Sequence, residues 1–294
     1  MKGWFVVNEF LQGDGFREHN ELFLAAAKKL GIDLELKTNA EVWTELAACS
    51  YCLKNETALP SFVLFWDKDI CLAHELTRQG LRLYNPAQAI EDCDDKALTY
   101  LKLSHAGIRQ PTTLISPKKF YSDGLLHRGF FEKAIETTGF PCIVKECAGS
   151  FGQQVYLVED RSALKRLLKE LGDHPYLIQR FIASSRGRDL RIMVVGSRVV
   201  AAMERFNPTD FRSNIANGGN ARMVTIDAEY EKMALSACRA LKLDFAGVDL
   251  LYGENGEPFL CEVNSNAHFK MLYACTGVNV AEEIMMYINR RETK

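Results

Sequence analysis

Two strand patterns near the end of the chain, Phe245–Leu251 and Glu257–Val263, are joined across Gly253-Glu-Asn-Gly256, and each carries an acid among apolar neighbours. Side chains alternate faces along a strand, so Glu262 and Asn264 share one face. Folding the chain about Glu254-Asn255 brings Asp249 opposite Glu262. Two carboxylates and an amide then converge. Like charges in poorly hydrated positions repel, and burying them unpaired is costly. A hard divalent cation removes both costs. Oxygen-only ligands with few protein contacts suit Mg²⁺ carrying nucleotide phosphates better than zinc. On spacing alone, a solvent-facing hairpin with ordinary acids stays open as the other reading.

A chain of 294 residues has room for two or three packed lobes around such a hairpin. Lys and Arg number 36 against 38 Asp and Glu, a formal charge of -2, which argues against a protein that coats nucleic acid. Hydrophobic residues at 47% and charged residues at 25% are those of a folded, soluble chain rather than a disordered or fibrous one. No apolar run reaches 18 residues, so no membrane partner is expected. The opening MKGWFVVNEFLQGDG lacks a signal-peptide pattern, which favours a cytoplasmic location. Nine scattered cysteines read as reduced, partly buried side chains; Cys49-Ser-Tyr-Cys52 has redox or half-zinc spacing but no second pair to complete it.

The first part of the chain alternates strands and helices: Trp4–Val7, a helix over Glu18–Leu30, Asp33–Lys37, Phe62–Trp66 ending in Asp67, a helix to Gly80, and Leu81–Tyr84. This predicts an α/β domain with a mainly parallel sheet. Asn85-Pro86 reads as a helix start with Asn as cap, and Asp94-Asp95-Lys96 opens another helix that stops at Gly107. Ile108 to Pro111 reads as a linker. Strands Phe140–Lys145 and Gln154–Val158, with a helix over Asp160–Leu171, suggest a small α+β lobe. Strands Tyr176–Ile182, Leu190–Val195 and Arg198–Arg205, helices Glu229–Leu241 and Val278–Asn289, and the acidic hairpin make up the remainder.

The cationic signals follow the same path. Lys145 ends a strand before Ala148-Gly-Ser-Phe-Gly152, a loop that can present backbone amides to phosphate oxygens. Asp189 and Arg191 share a strand face, Arg205 ends the next strand, and Phe211-Arg-Ser-Asn214 with Gly218-Gly219 follows. There is no GxxxxGK[ST] and no strand-linked GxGxxG. A surface charge pair explains any one of these cations; together with the hairpin they describe a cleft for an anion.

In combination, Arg188-Asp189-Leu-Arg191-Ile-Met-Val-Val-Gly196, Val199-Val-Ala-Ala-Met-Glu-Arg205, Phe211-Arg-Ser-Asn214, Gly218-Gly219, Gly247-Val-Asp249-Leu-Leu and Glu262-Val-Asn264-Ser265 resemble the ATP-grasp superfamily, and within it the RimK-like (alpha-L-glutamate) carboxylate-amine ligases. The similarity covers roughly residues 82 to 290. It implies an ATP-grasp fold, α/β and α+β, behind an N-terminal parallel-sheet α/β domain. The expected division is 1–88 for that domain, 89–174 for the small ATP-grasp lobe with its linker, and 175–294 for the C-terminal lobe.

The resemblance also implies roles. Lys96 and Lys145 hold ATP phosphates, and Gly149, Ser150, Phe151 and Gly152 form the loop that closes over them. Gln179, Arg180, Phe181 and Ile182 line the adenine, and Asp189 contacts the ribose side. Arg191, Arg205 and Asn214 sit near the γ-phosphate and the reacting carboxylate. Asp249, Glu262 and Asn264 bind Mg²⁺, with Mn²⁺ as an alternative ion, and Arg212, Ser213, Asn266, His268 and Lys270 are candidates for substrate binding. The implied partners are a small-molecule or peptide carboxylate and an amino-acid amine, glutamate among them, without direct contact to nucleic acid; the sequence permits a homo-oligomer. Two departures stand out. Arg180 replaces an acid frequent in the hinge of related ligases, which shifts adenine recognition towards the backbone. The strand ending at Asn264 continues Ser-Asn-Ala-His268-Phe-Lys270 rather than with a Ser-Pro-Gly-like turn, pointing to an altered acceptor pocket. A nucleotide-binding regulatory protein that keeps the fold without turnover is the alternative.

Overall fold

The computed structural model describes residues 1–42, 44–47, 50–53, 59–121, 126–149, 152–214 and 218–293. The N-terminal part runs β1 (Lys2–Val7), α1 (Asp14–Lys29), β2 (Asp33–Thr38), a hairpin of β3 (Thr44–Ala47) and β4 (Ser50–Leu53), then β5 (Phe62–Trp66), α2 (Ile70–Arg78) and β6 (Leu83–Tyr84). Its sheet has the order β2-β1-β5-β6, with every pairing parallel. Parallel strands covered on both faces read as continuous apolar runs, and every residue of β5 is buried. Phe5, Leu64 and Trp66 belong to one core, while Trp4, Val6, Val63 and Phe65 belong to the opposite one. The alternation of a β-strand therefore divides one strand between two cores.

Two helices follow, α3 (Ala87–Asp94) and α4 (Lys96–His105), with Asp95 between them accepting from the backbone N–H groups of Ala97 and Leu98. That cap was legible in Asp94-Asp95-Lys96. The expectation for Asn85 was not met. Pro86, not Asn85, stands at the cap position of α3, and no side chain caps that helix. The fully buried Asn85 instead reaches the large lobe: its Oδ1 accepts from the N–H groups of Asp244 (2.7 Å) and Phe245 (3.1 Å), and its Nδ2 donates to the carbonyls of Phe245 and Ser265, both 3.0 Å. A short amide side chain satisfies a helix end or a distant backbone segment, and here the distant segment wins because it takes four hydrogen bonds instead of one.

The small lobe is a four-stranded antiparallel sheet of β7 (Thr113–Ile115), β8 (Cys142–Glu146), β9 (Val155–Val158) and β10 (Tyr176–Arg180), in the order β7-β10-β8-β9. Its helices α5 (Arg128–Thr138) and α6 (Arg161–Glu170) enclose a core of Phe131, Val144, Leu164, Leu168 and Ile178. A cut at 174/175 runs between β10 and the strands it pairs with, so a division after Arg180 keeps the sheet whole. The stretch 87–105 lies against the large sheet, since Ala89 and Leu103 share its core.

The large lobe holds β11 (Arg188–Val195), β12 (Arg198–Phe206), β13 (Asn220–Met223), α7 (Ala228–Ala240), β14 (Phe245–Tyr252), β15 (Pro258–Asn264), α8 (Lys270–Thr276) and α9 (Val280–Glu292). Its antiparallel sheet has the order β13-β12-β11-β14-β15. Leu190, Ile192, Val248, Leu250, Leu260 and Val263 pack on one side with Tyr230, Ala234 and Ala237 of α7. On the other side Met193, Phe245 and Phe269 join Phe23 and Trp66 of the N-terminal domain, together with Ile284 and Ile288 of α9, in one continuous core. Such a shared apolar interface fixes the domain on the lobe. Among the described residues no helix is long and apolar enough to cross a membrane.

Candidate active site

Four strands of the large sheet turn the same face towards the small lobe. In register across that face stand Met203 of β12, Arg191 of β11, Asp249 of β14 and Glu262 of β15. Asp189 faces Arg205 one step along, and Gly247 faces Asn264 in the other direction. The pairing of Asp249 with Glu262 is the one the hairpin arithmetic requires. A bulge adds something the alternation does not show: Leu250 pairs with Leu260, leaving Cys261 unmatched. The extra residue places both Cys261 and Glu262 on the cleft wall while Leu260 and Val263 stay in the core. Gly247 is the point where the chain after β15 crosses this face, because a Cβ there would come within 2.5 Å of Ala267 Cβ.

The acids and arginines of this face are paired. Arg191 clasps Asp249 through Nε and Nη2, both at 2.7 Å. Arg205, 3% exposed, bridges Asp189 and Asp249, with 2.8 Å from Nε to Asp189 and 2.8 Å from Nη2 to Asp249. Burial works to raise the Asp249 carboxyl, and the Arg191 and Arg205 guanidiniums overcome it, so the group is held ionised below the usual carboxylate range. Glu262, by contrast, has no hydrogen-bond or ion-pair partner among the described residues, and Asn264 Nδ2 is buried without one.

Across the cleft stand two lysines. Lys145, on β8 and 6% exposed, donates to Tyr100 Oη at 3.3 Å; Lys96, the first residue of α4, donates to the Gly149 carbonyl at 3.1 Å. Neither has a carboxylate within ion-pair distance among the described residues. Burial lowers the Lys96 pKa and the nearby Lys145 charge adds to the lowering, while Glu262 opposes both. Two cations desolvated together without a counter-ion are costly. An anion between them removes the cost.

The rest of the cleft is supplied by turns and strand ends. Gln179 is anchored by Thr113 Oγ1 at 2.8 Å, and Arg180, whose guanidinium donates to the Thr137 carbonyl at 3.2 Å, lines the cleft with Phe181 and Ile182. Gly149 and Gly152 lie in the same wall; Ser150 and Phe151, like Cys49 of the N-terminal part, lie outside the described residues. Gly152 has φ +70° and a Cβ there would meet Asn214 Oδ1 at 2.8 Å, while Arg212 Nη1 donates to the Gly152 carbonyl at 2.9 Å. These contacts tie the loop of the small lobe to Arg212, Ser213 and Asn214 of the large one. The lobes are therefore closed on each other around the paired lysines and the acidic hairpin.

A second cavity, of about 510 Å³, adjoins the cleft, and Arg205, Asn214 and Glu262 line both. It lies between the carboxyl ends of β1 and β5 and the large sheet, the edge at which parallel sheets present their ligands. Arg191, Asn264, Asn266, His268 and Lys270 open into it. Lys270 is ion-paired with Glu18, and His268 meets Phe16 edge-on and His19 at a tilt. Burial, reinforced by the Arg191 and Lys270 charges, lowers the His268 pKa. The expected site thus divides between two adjoining spaces. Sequence reasoning passed over the contribution of the N-terminal domain, Asn8, His19 and Asp67. The signal for Asp67 was present, as the polar residue ending the apolar run Phe62–Trp66.

Residues 93–288 match the model of the RimK-like ATP-grasp domain. The chain belongs to the RimK-like ATP-grasp family. It is thereby an ATP-grasp ligase, an enzyme that makes an amide from a carboxylate and an amine. It is similar to the MG012 homolog protein of Mycoplasma pneumoniae, with 33% identity over 91% of this chain and 92% of that one. It is also similar to beta-citrylglutamate synthase B of Danio rerio, with 34% identity over 73% of this chain but 52% of that protein, so it spans about half the length of that ligase. Among solved structures, the ATP-grasp ligase PsnB, complexed with Mg, ADP and a phosphomimetic variant of its minimal precursor, shares the fold with a TM-score of 0.69 and 16% identity, over 99% of this chain and 98% of that one.

Proposed function

We propose that this ligase uses ATP to activate a small-molecule or peptide carboxylate and joins it to an amino-acid amine, acting in the cytoplasm. The observation that carries the reading is the charge arrangement of the cleft: the half-buried Lys96 and the buried Lys145, both without carboxylate partners among the described residues, face the unpartnered Glu262. Lys96 and Lys145 bind ATP phosphates, with Gly149 and Gly152 in the same wall. Backbone groups from Gln179 to Ile182 take the adenine, which suits an Arg180 guanidinium taken up by the Thr137 carbonyl. Asp189 shapes the ribose side and holds Arg205 in place through its carboxylate.

Glu262, which has no partner among the described residues, and Asn264 Oδ1 would supply oxygen donors suited to Mg²⁺ or Mn²⁺, and Asp249 would join them on yielding an oxygen now held by Arg191 and Arg205. Among the described residues no group of three or more His, Cys, Asp or Glu converges. A divalent ion held there offsets the negative charge of the transferring phosphoryl group. Arg191, Arg205 and Asn214 stand where the cleft meets the second cavity and orient the substrate carboxylate towards the γ-phosphate. The carboxylate oxygen attacks phosphorus and ADP leaves, giving an acyl phosphate. The amine then attacks the carbonyl carbon, a C–N bond forms, the C–O bond to phosphate breaks, and the amine proton is lost. Closure of the lobes keeps water from the acyl phosphate. The mixture of Mg, ADP and a precursor bound by PsnB, and the product named in beta-citrylglutamate synthase B, support this reading and point to glutamate as an amine to try first.

A panel of carboxylates and amino acids with ATP and Mg²⁺, followed by product mass and ADP release, tests the proposal. A substrate-dependent amide is expected, and Glu262→Gln should slow its formation about 100-fold or more. Near wild-type rates in Glu262→Gln at saturating Mg²⁺ would refute the metal assignment.

A further inference from the structure

Two Lys or Arg side chains are buried among the described residues, Arg205 and Lys145, and they are held differently. Arg205 lies between the carboxylates of Asp189 and Asp249. Lys145 of the small lobe has no carboxylate partner among the described residues; its ammonium donates to Tyr100 Oη at 3.3 Å and faces Cys261 Sγ more distantly, at 3.9 Å. Its Nζ also lies 5.5 Å from the centre of the Tyr100 ring. Tyr100 is buried and stands on α4 four residues after Lys96. Side chains four apart share a helix face, so one face of α4 carries one cleft lysine and the phenol that meets the other.

The phenol has a single proton to give. It goes to the Cys261 carbonyl, 2.6 Å from Oη, since Gln179 Oε1 at 3.5 Å is too far to compete. With its proton committed, Tyr100 Oη meets Lys145 as an acceptor. The carbonyl it serves belongs to the bulge residue that has no partner in β14, immediately before Glu262. A backbone acceptor left unpaired in a buried place is disfavoured, so this hydrogen bond both satisfies the bulge and anchors the phenol. Two more bonds moor the same region: the Leu260 N–H donates to the Arg109 carbonyl at 2.9 Å, and Gln110 Nε2 donates to the Tyr100 carbonyl at 2.8 Å. Tyr100 is thus fixed on β15 of the large lobe while its oxygen receives the lysine of the small one.

We propose that Tyr100 is a positioning residue for nucleotide binding: it holds the Lys145 ammonium in place for phosphate without neutralising it. The role deepens the ligase reading given above and rests on it. A carboxylate at this point would pair with the lysine and compete with phosphate for its charge, as Asp189 and Asp249 do for Arg205. A neutral acceptor removes the freedom of a long, flexible side chain and leaves the whole charge to the ligand. The anchor matters as much as the acceptor. Because Oη is tied to the residue before Glu262, the lysine is set relative to the strand that carries the candidate metal acid, and α4 locates both cleft lysines, Lys96 directly and Lys145 through the phenol.

The test is a double-mutant cycle on the full-length protein, read by calorimetric titration with a non-hydrolysable ATP analogue and Mg²⁺. Lys145→Met should raise Kd about tenfold or more, the scale of one hydrogen bond from a charged donor. Tyr100→Phe keeps the ring and removes the hydroxyl; it should raise Kd about fivefold or more when Lys145 is present and less than about twofold in the Lys145→Met background. In turnover, Tyr100→Phe should raise KM for ATP while KM for the amine stays within about twofold of wild type. Tyr100→Met, which also fills the space without a hydroxyl, takes its place in the cycle if Tyr100→Phe does not fold. An equal effect in both backgrounds would show a general structural role and overturn the proposal, as would a rise in the amine KM matching that for ATP. If Lys145→Met weakens nucleotide binding and Tyr100→Phe does not, the positioning role fails and the ligase reading stands. If Lys145→Met leaves Kd unchanged, the phosphate role of Lys145 in that reading fails and the positioning role falls with it.

Discussion

Replacing Lys96 by Met separates a binding role from a structural one, because the two predict opposite results. In the ligand-free protein the Lys96 ammonium is desolvated, lies near Lys145, and has one neutral partner, the Gly149 carbonyl at 3.1 Å. Its folded-state pKa is lowered by burial, so wherever the pH lies below that lowered value the charged form carries the full burial penalty. The penalty shrinks only as pH rises past the lowered folded value towards the unfolded one. Met removes that penalty and one hydrogen bond contributing about 0.5–1.5 kcal/mol. These terms oppose each other, so the melting temperature should stay within roughly 2–4 °C of wild type, or about 1 kcal/mol for a chain of this size. Nucleotide binding should respond differently. A hydrogen bond from a charged donor to phosphate contributes about 1.5–3 kcal/mol, so Kd for an ATP analogue with Mg²⁺ should rise about 10- to 150-fold. Calorimetric titration and thermal denaturation on the same preparation supply both numbers. A Kd within about threefold of wild type would refute the phosphate role. A fall of melting temperature by more than about 6 °C would show instead that Lys96 holds the lobes together.

Three further perturbations probe the frame around the site. Arg205→Met leaves Asp189 and Asp249 buried with reduced compensation and should cost about 3–5 kcal/mol by denaturant titration, with adding Asp189→Asn recovering part of the loss; a cost under about 1 kcal/mol would refute the bridging role. Asn85→Ala removes four hydrogen bonds between the N-terminal domain and the large lobe and should destabilise by about 3 kcal/mol, whereas a helix cap alone would cost about 1. Asp67→Asn should raise the melting temperature by about 2–6 °C at neutral pH, because the carboxyl is buried without a cation within ion-pair distance among the described residues. Burial raises the Asp67 pKa, so this gain should be absent in strong acid, below the unfolded pKa, and grow as pH rises towards the folded value; melting curves across pH 3 to 8 check the sign.

The parts of the site that lie on one hairpin were readable because strand alternation and turn position determine which side chains share a face. Asp249 opposite Glu262, with Asn264 two residues on, needs no information from elsewhere in the chain. The bulge at Cys261 was not readable, since nothing local distinguishes a strand with an extra residue from one without. The N-terminal sheet was recognised by its continuous apolar runs, and α1 in outline, although it begins at Asp14 rather than Glu18. The short strand β7, helix α5 and the edge strand β13 went unpredicted; β7 and β13 lie at sheet edges, where one side lacks a partner and the apolar pattern is weak. Asn85 was read by its neighbours and is used by residues about 160 positions away. Long-range capture of a side chain leaves no periodic trace.

The arginines show why a list of site residues falls short of a site. Read singly, Arg191 and Arg205 are cations awaiting phosphate, and Asp189 and Asp249 are acids awaiting ribose and metal. Placed on adjacent strands of one face, they neutralise each other: Arg191 takes both oxygens of Asp249, and Arg205 spans Asp189 and Asp249. Such a network is preorganised, because each member is held in one rotamer before any ligand arrives. It also leaves the charges that a ligand must satisfy in other places. Lys96 and Lys145 on one wall and Glu262 on the other lack ion-pair partners in the cleft, and Asp67 lacks one in the adjoining cavity. The uncompensated groups of the cleft therefore have the signs of an anion with its metal. Arg205, Asn214 and Glu262, common to both walls, mark where the two spaces meet.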